Sequence, residues 1–381
     1  MNYPFVLALS TLVGTIIGAG IFGVPYVVAK SGIIPAIFYF LLLGGAVMLL
    51  HLFFGEVALR TKEKHRLIGY CETYLGKPGK IAAVFSTLFG IVGALLAYTI
   101  VGGSFLHILF GEFSGISATW FSILFWGLLS LFILRGIQFI AKAEFLMNIA
   151  LFAIVFLIFF FAAPHIRVEN FSLVHLEHFF LPYGVILFAL AGWAAIPEIA
   201  DFFKRGHEKK SLDNLIVLAS IITVALYFFF ALFVVGVSGE NTSPNALQGL
   251  EGSLGGGIVQ LGALFGLVAI AASFLVLGNY LKNSLRYDFH LPYAPSAAIA
   301  IITPMLLFLL GFREFISVLG IVGVAMGIVE GTLIVLLYKK ARAFGERTPE
   351  YSLRLPKLLP YLVLVVVMGG GLAALLFSYF R

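Results

Sequence analysis

Long apolar stretches separated by short polar segments repeat along the whole chain of 381 residues. A helix of about 20 apolar residues crosses the hydrocarbon core of a bilayer, and each stretch is close to that length or longer. The pattern predicts eleven membrane-spanning helices, called spans and numbered in chain order. Their predicted bounds are 4–28, 33–60, 81–110, 119–135, 142–163, 179–202, 213–237, 256–281, 295–311, 313–338 and 358–380.

The stretches are apolar on every face, as in IALFAIVFLIFFFAA at residues 149–163. Strands of a transmembrane β-barrel alternate polar and apolar residues, so the pattern indicates an all-α polytopic membrane protein instead. The first span follows no basic segment and precedes no A-x-A-like cleavage site, and we expect a retained helix rather than a signal peptide. The segments between the spans are too short for an additional soluble domain.

Basic residues are concentrated in alternate loops. With a cytoplasmic N-terminus, 20 of the 24 lysines and arginines fall on the cytoplasmic side, for example in RTKEKHR at 60–66, KRGHEKK at 204–210 and the segment 339–357. The positive-inside rule therefore predicts a cytoplasmic N-terminus and an external C-terminus in the plasma or inner membrane of the cell.

Composition excludes other classes of protein. Hydrophobic residues make up 61% of the chain and charged residues 11%, and the mean hydropathy is +1.08, which excludes a soluble globular domain. The net charge of +6 comes from loop residues that face anionic lipid, so the lipid bilayer is the expected partner and nucleic acid is not. The single cysteine, Cys71, excludes an intrachain disulfide.

Glycine and proline interrupt two of the spans. The first span contains GTIIGAGIFGVP at residues 14–25 and the sixth contains AGWAAIP at 191–197, and a Gly-x4-Pro spacing begins at Gly20 and again at Gly192. Glycine costs about 1 kcal/mol and proline about 3 kcal/mol relative to alanine inside a helix, so a plain spanning helix would avoid both clusters. Interrupted spans of opposite direction at corresponding positions indicate the midplane site of a secondary transporter.

Close helix packing is the alternative role of either cluster alone, because Gly14 and Gly18 form a small-xxx-small pair. An interrupted helix exposes backbone groups that are costly in hydrocarbon unless a partner satisfies them. A substrate carboxylate at a half-helix N-terminus and a cation at freed carbonyls would do so. The matched spacing therefore favours two broken helices, and no strand or P-loop lysine supports a phosphate loop.

The same segments resemble a known family. GTIIGAGIFGVP resembles the first-helix signature of the amino acid–polyamine–organocation (APC) superfamily, and LFALAGWAAIPEIADFFK at 187–204 resembles its sixth-helix signature. GALLAYTIVGGSFL in the third span is similar to stretches of the amino acid/auxin and hydroxy/aromatic amino acid permease families. The resemblance implies a leucine-transporter (LeuT) fold, a 5+5 inverted repeat with one additional helix and with spans one and six broken. Its units would be 1–163, 164–340 and 341–381.

The resemblance also implies which residues bind an amino acid. The first break would hold the α-amino and α-carboxylate groups, while the third and sixth spans would surround the side chain. The implied substrate-binding residues are Thr15, Ile16, Gly18, Ala19, Gly20, Tyr98, Ala191 and Trp193. Ordinary helix packing is the alternative role for Tyr98 and Trp193.

Sodium-coupled relatives of this fold bind their ion between the first break and the eighth span. The corresponding positions here are Gly14, Ile17, Ala269, Ala272 and Ser273. Ala272 stands where sodium sites usually have a second hydroxyl, so the set offers backbone carbonyls and one hydroxyl. A proton is therefore the alternative coupling ion.

Two carboxylates within spans are candidates to bind a proton. They are Glu198, just after the interruption of span six, and Glu330 in span ten. A charged side chain at the bilayer centre costs about 2.5 to 3.5 kcal/mol on insertion scales, so such residues are functional candidates. Pairing with the basic residues that follow is the alternative for Glu198, and a structural hydrogen bond is the alternative for Glu330. For Glu56 an i,i+4 pair with Arg60 is the simpler interpretation.

The histidines do not form a metal-binding pattern. His51 and His107 lie within spans, where isolated histidines usually hydrogen-bond to a neighbouring helix, and His175 and His178 supply only two ligands. We expect no cofactor, and no metal other than sodium as a coupling ion.

Other functional classes fit the sequence less well. An enzyme would need a grouped nucleophile and base or a metal cluster, and a channel would show a repeated filter sequence. The sequence therefore predicts a cation-coupled permease for neutral or aromatic amino acids that works by alternating access, without an obligate protein partner. A transporter-like amino acid sensor without net transport is the alternative.

Overall fold

The computed structural model describes residues 3–135, 152–204, 212–287 and 289–379. Within these ranges the chain is helical and contains no strand. The helices are α1 (Tyr3–Ile16), α2 (Gly20–Ser31), α3 (Ile33–Arg60), α4 (Leu67–Ser114), α5 (Ala118–Arg135), α6 (Phe152–His165), α7 (Leu181–Leu190), α8 (Ile196–Lys204), α9 (Leu212–Ser238), α10 (Glu251–Leu254), α11 (Gly256–Tyr287), α12 (Tyr293–Leu309), α13 (Phe315–Phe344) and α14 (Leu359–Ser378).

Eight of the described segments are helical, long and apolar enough to cross a membrane, and a ninth span results if the bent pair α1 and α2 is taken together. The eight segments are Ile33–Arg60, Leu67–Ser114, Ala118–Arg135, Leu181–Ala200, Leu212–Asn241, Gly256–Arg286, Phe315–Phe344 and Leu359–Ser378. The shorter apolar helices α6 and α12 overlap the predicted spans five and nine, and residues 142–151 lie outside the described residues. The chain is a multi-pass helical membrane protein, and the predicted count of eleven is not confirmed.

The third span begins earlier than the sequence predicts. Helix α4 starts at Leu67, inside a segment expected to be a polar loop up to residue 80. At Gly76 the backbone has φ 69° and ψ −161°, a conformation that favours glycine, and the helix kinks there. The piece before the kink buries Tyr70 and Cys71. A helical piece this short carries too few apolar residues to be distinguished from a loop by hydropathy alone.

Helix α13 lies at the centre of the bundle and packs against α4 and α7. Glycines make this approach close. A Cβ built on Gly323 would overlap the carbonyl oxygen of Gly184 in α7, and one built on Gly93 in α4 would overlap the side chain of Val322. Membrane helices associate through such small residues, because lipid tails are as apolar as the helices themselves. Large apolar side chains such as Phe113, 85% exposed, point outward instead.

Gly32 forms the tight turn between α2 and α3, with φ 93°. A Cβ on this residue would lie 2.7 Å from the carbonyl oxygen of Leu173, because the segment 166–178 crosses directly over the turn. The backbone N–H of His175 donates to the carbonyl of Ser31 at 2.8 Å. This segment therefore covers the end of the bundle that the charge distribution predicts to be external.

Replacing Gly323 by alanine tests the glycine contact between α13 and α7. The new Cβ would meet backbone atoms rather than a flexible side chain, so we expect a loss of about 1–3 kcal/mol of stability from overpacking. The measurement is the midpoint of thermal unfolding by fluorescence-detected size-exclusion chromatography. Gly127→Ala in α5 is the control, since nothing lies within 4 Å of its added Cβ. Equal midpoints for the two variants would contradict the packing described.

Candidate functional site

The first break, residues 17–19, separates α1 from α2. The helical pieces Ala8–Ile16 and Gly20–Ser31 are bent by 51° relative to each other. At the start of α2, the backbone N–H of Ile21 donates to the carbonyl of Gly18 at 3.3 Å, and the N–H of Phe22 donates to the carbonyl of Ala19 at 3.1 Å. These two N–H groups are therefore satisfied locally, whereas the first N–H groups of a helix in general lack intrahelical acceptors and attract anionic groups.

Two tyrosines from other spans lie at the first break. The hydroxyl of Tyr227 in α9 donates to the carbonyl of Ile16, the last residue of α1, at 2.9 Å. The hydroxyl of Tyr98 in α4 lies 3.4 Å from the position that a Cβ on Gly18 would occupy. The same hydroxyl is within hydrogen-bonding reach of Ser273 in α11. Four spans therefore meet at the first break.

The second break, residues 191–195, separates α7 from α8. Helix α7 ends at Leu190, Ala191 is extended with ψ 111°, and Trp193–Ala195 form a 3-10 turn before α8 begins. The backbone N–H of Gly192 leaves the helical ladder and donates to Nε2 of His51 in α3 at 3.2 Å. His51 is buried, at 1% exposure. A side chain from a third helix thus satisfies a backbone group that the interruption frees.

The two breaks face each other. A Cβ on Gly20 would lie 2.7 Å from the backbone Cα of Ala189, and one on Gly192 would overlap the side chain of Ile16. Glycine at these positions allows the second half of the first span to pack directly on the end of α7. The two interruptions, whose Gly20 and Gly192 are 172 residues apart in sequence, therefore form one region of the structure.

A buried carboxylate lies beside the second break. The indole N–H of Trp193 donates to Glu330 of α13 at 2.5 Å, and the hydroxyls of Ser86 and Thr87 in α4 donate to the other carboxylate oxygen at 3.1 and 3.4 Å. Glu330 is 3% exposed. The partners that the described part of the chain provides for this carboxylate are all neutral donors.

Most residues predicted to bind substrate lie at the two breaks. Ile16, Gly18, Ala19 and Gly20 lie at the first break, Ala191 and Trp193 at the second, and Tyr98 faces Gly18. Thr15 is different, because its side chain is exposed and its hydroxyl donates to the Thr11 carbonyl of the same helix at 2.8 Å. Substrate contact by these residues stays a prediction.

The residues predicted to couple an ion are more dispersed. Gly14, Ile17, Ala269 and Ala272 are buried, and Ser273 is joined to the first break through Tyr98. Glu198 lies in the first turn of α8, with its side chain 44% exposed, and pairs with Lys64 at 2.6 Å and with Arg66 at 3.7 Å. The alternative partners Lys204 (its side chain) and Arg205 lie outside the described residues.

A second polar cluster, which the sequence analysis did not predict, closes one end of the bundle. Residues 345–353, here called the strap, follow α13 and lie on the end of α3. The backbone N–H of Leu353 donates to Glu56 at 2.8 Å, and the hydroxyl of Ser352 donates to the other oxygen of this carboxylate at 3.2 Å. Glu56 is fully buried and forms the expected i,i+4 pair with Arg60 at 2.7 Å.

Tyr351 also binds the strap to α3, one helical turn before Glu56. Its hydroxyl donates to the carbonyl of Leu52 at 2.5 Å. Burial and the nearby Glu56 carboxylate raise the pKa of Tyr351 well above its ordinary value, so the hydroxyl keeps its proton as a donor at physiological pH. The hydropathy pattern does not predict the strap, because its hydrogen-bond partners lie between 296 and 299 residues away in sequence.

Comparison with known proteins places this helical bundle among permeases. The profile of the tryptophan/tyrosine permease family matches residues 2–374. A similar protein is glutamine transporter 2 of Aliivibrio fischeri, which is 25% identical over 348 residues, with 86% of each chain covered.

Replacing Glu56 by alanine should release the strap. Arg60, Ser352 and the N–H of Leu353 would lose a buried charged partner, a change that typically costs about 3–5 kcal/mol. We expect faster tryptic cleavage after Arg347 and Arg354 in limited proteolysis of the detergent-solubilised protein, with a lower thermal midpoint. Glu72→Ala, which removes an exposed pair with Lys80, serves as the control and should leave both unchanged. Identical cleavage rates in the two variants would contradict the docking of the strap by Glu56.

Proposed function

This chain belongs to the tryptophan/tyrosine permease family, and we propose that it moves a neutral or aromatic amino acid across the membrane by cation-coupled alternating access. The family match and the similarity to a glutamine transporter identify an amino acid transporter rather than an enzyme. The observation that supports transport by alternating access is the pair of facing breaks at residues 17–19 and 191–195.

We propose a LeuT-like arrangement of two inverted five-helix units, 1–163 and 164–340, followed by 341–381, as in the APC superfamily. Two facts support it. The interrupted spans are the first and sixth predicted spans, and the broken ends contact each other at Gly20 and Ala189. We further propose the plasma or inner membrane as the location and a cytoplasmic N-terminus, on the charge distribution of the loops.

The first break suits the common part of an amino acid. The N-terminus of α2 offers backbone N–H groups and the positive end of a helix dipole to the α-carboxylate. Carbonyls of the interrupted segment accept hydrogen bonds from the α-ammonium group, and the missing side chain at Gly18 lets the ligand approach the backbone below the Tyr98 hydroxyl. Substrate selection through the backbone explains why glycine occurs here rather than polar side chains.

Aromatic side chains flank the proposed substrate site at the first break, residues 17–19, here called the cradle. Tyr98 and Trp193 come from different spans, and the indole N–H of Trp193 is already bound to Glu330. The ring faces are therefore the surface that these residues offer to a substrate side chain, a surface that suits apolar and aromatic groups. Tryptophan, tyrosine and glutamine are the first substrates to test, given the names of the family and of the relative.

For coupling, Glu330 fits a proton better than Glu198 does. Glu330 is buried among neutral donors, and a proton that binds there removes a charge that the membrane interior disfavours. Glu198 is partly exposed and already paired with Lys64. Sodium at Gly14, Ile17, Ala269, Ala272 and Ser273 remains the competing proposal, and it provides one hydroxyl ligand.

Uptake into proteoliposomes tests the function. The wild-type chain should accumulate at least one radiolabelled amino acid from a pool that includes tryptophan, tyrosine and glutamine. Gly18→Val should abolish uptake while leaving expression and thermal midpoint close to wild type, because its neighbour is only the Tyr98 hydroxyl. Gly20→Val is less suitable, since its side chain would meet the backbone of Ala189. Normal uptake by Gly18→Val would overturn the cradle, and binding without uptake by the wild type would indicate a sensor.

The driving ion is tested by imposing a pH gradient and a sodium gradient separately. With proton coupling through Glu330, Glu330→Gln should lose concentrative uptake but keep exchange of internal for external substrate. Ser273→Ala should leave pH-driven uptake within about threefold of wild type. Accumulation that follows sodium and is lost in Ser273→Ala would overturn proton coupling in favour of the sodium site.

A further inference from the structure

Tyr227 of α9 reaches the first break from a separate span and is fully buried. Its hydroxyl donates to the carbonyl of Ile16 at 2.9 Å and is within hydrogen-bonding reach of the backbone of Gly18. One side chain therefore contacts the backbone both at the end of α1 and inside the break. The substrate site proposed above assigns no role to this tyrosine.

The bond to Ile16 replaces a bond of the helical ladder. In a continuous α-helix the backbone N–H of residue 20 donates to the carbonyl of residue 16. Here α1 ends at Ile16, the carbonyl of Ile16 accepts the Tyr227 hydroxyl, and α2 starts only at Gly20. A side chain from another span thus binds the carbonyl that the N–H of Gly20 needs for a regular helix.

The break takes three consecutive N–H groups out of the ladder, those of residues 18–20. On one side of them, the N–H of Ile17 still donates to Val13 of α1 at 2.9 Å. On the other side, the N–H of Ile21 already donates to the Gly18 carbonyl inside the break. The groups between them are the ones that the proposed function offers to a substrate carboxylate.

A continuous helix through residues 17–19 is the competing arrangement of this segment. It satisfies the same backbone groups internally, but it leaves no N–H group for a ligand. A ligand that needs these groups binds only the broken arrangement, so any contact that stabilises the broken arrangement raises the apparent affinity. The hydrogen bond from Tyr227 to Ile16 is such a contact.

We propose that Tyr227 is a positioning residue which keeps the first break unwound, so that the backbone N–H groups of residues 18–20 stay available to the α-carboxylate of an amino acid. The proposal rests on the substrate site proposed above for this break. The carboxylate is common to all α-amino acids. Tyr227 therefore changes the affinity for every substrate by the same factor and does not select the side chain.

The first test removes the hydroxyl group alone. In proteoliposomes, Tyr227→Phe should raise KM about tenfold, as expected for one hydrogen bond, and by the same factor for each of tryptophan, tyrosine and glutamine that the wild type takes up, with Vmax within about threefold. p-Aminophenylalanine at position 227 carries an N–H donor in place of the hydroxyl and should restore KM. An unchanged KM, a loss of Vmax alone, or factors that differ between substrates would overturn the proposal.

Tyr183 provides a matched control. It is 1% exposed, and its hydroxyl donates to the backbone carbonyl of Val366 in α14 at 2.8 Å, outside both breaks. Tyr183→Phe loses the same kind of bond, so its thermal midpoint should fall as in Tyr227→Phe while KM stays within about threefold of wild type. Equal increases of KM in the two variants would indicate a general loss of stability and would refute the role of Tyr227.

The second test needs no substrate. Hydrogen–deuterium exchange of the purified full-length protein in nanodiscs reports on residues 18–20 through peptides that cover residues 14–25. In Tyr227→Phe the segment should rewind, and its exchange should slow about tenfold relative to wild type, whereas Tyr183→Phe should leave it unchanged. Equal or faster exchange in Tyr227→Phe would contradict the proposal.

The two tests separate this inference from the function on which it rests. If the wild-type protein takes up none of the three amino acids, the transport proposal fails, whereas exchange at residues 18–20 still shows whether Tyr227 keeps the break unwound. If uptake is normal and neither KM nor exchange responds to Tyr227→Phe, the transport proposal stands and the role of Tyr227 is refuted.

Discussion

Every backbone N–H and C=O inside the hydrocarbon core needs a hydrogen-bond partner, and this requirement governs the two interruptions of the bundle. A continuous helix satisfies it internally, but the breaks at residues 17–19 and 191–195 do not. Other spans provide partners there, as Tyr227 donates to the Ile16 carbonyl and His51 accepts from Gly192. In the proposed function, a zwitterionic ligand binds the backbone groups that remain at the helix starts, so the interruption of the helices would also provide the binding site.

Glycines of α13 and α7 allow the close helix packing around the second break. Close approach of α13 to α4 and α7 leaves no room for side chains at Gly323 and Gly184, and it brings the carboxylate of Glu330 within reach of Trp193 and Ser86. A polar group at that depth is tolerated because three donors surround it, two from α4 and one from the second break. The same contact couples the carboxylate mechanically to the second break, since Trp193 belongs to its 3-10 turn.

The carboxylates in or near the spans have different partners. Glu56 is fully buried but joined to Arg60 and to the strap, so its charge is compensated and its role is to hold the chain after α13 against α3. Glu198 is partly exposed and paired with Lys64. The three carboxylates in or near the spans thus differ in their partners. Glu56 binds a cation, a backbone amide and a serine hydroxyl, Glu198 binds an exposed lysine, and Glu330 binds neutral donors.

The sequence by itself determined the helical class, the position of most spans and the presence of two interruptions, since hydropathy, glycine and proline act locally. Helix α3 begins and ends where predicted. The first span is interrupted directly before Gly20, and the second interruption falls within the Gly-x4-Pro segment that begins at Gly192. Hydropathy did not reveal the helical piece of α4 before Gly76, which is short. Only the tertiary structure decided which polar groups meet: Tyr227 with Ile16, Trp193 with Glu330, and the strap with Glu56. These partners are between 137 and 297 residues apart. Their pairing depends on the rotation and depth of each helix against its neighbours, which close packing sets and no single segment encodes.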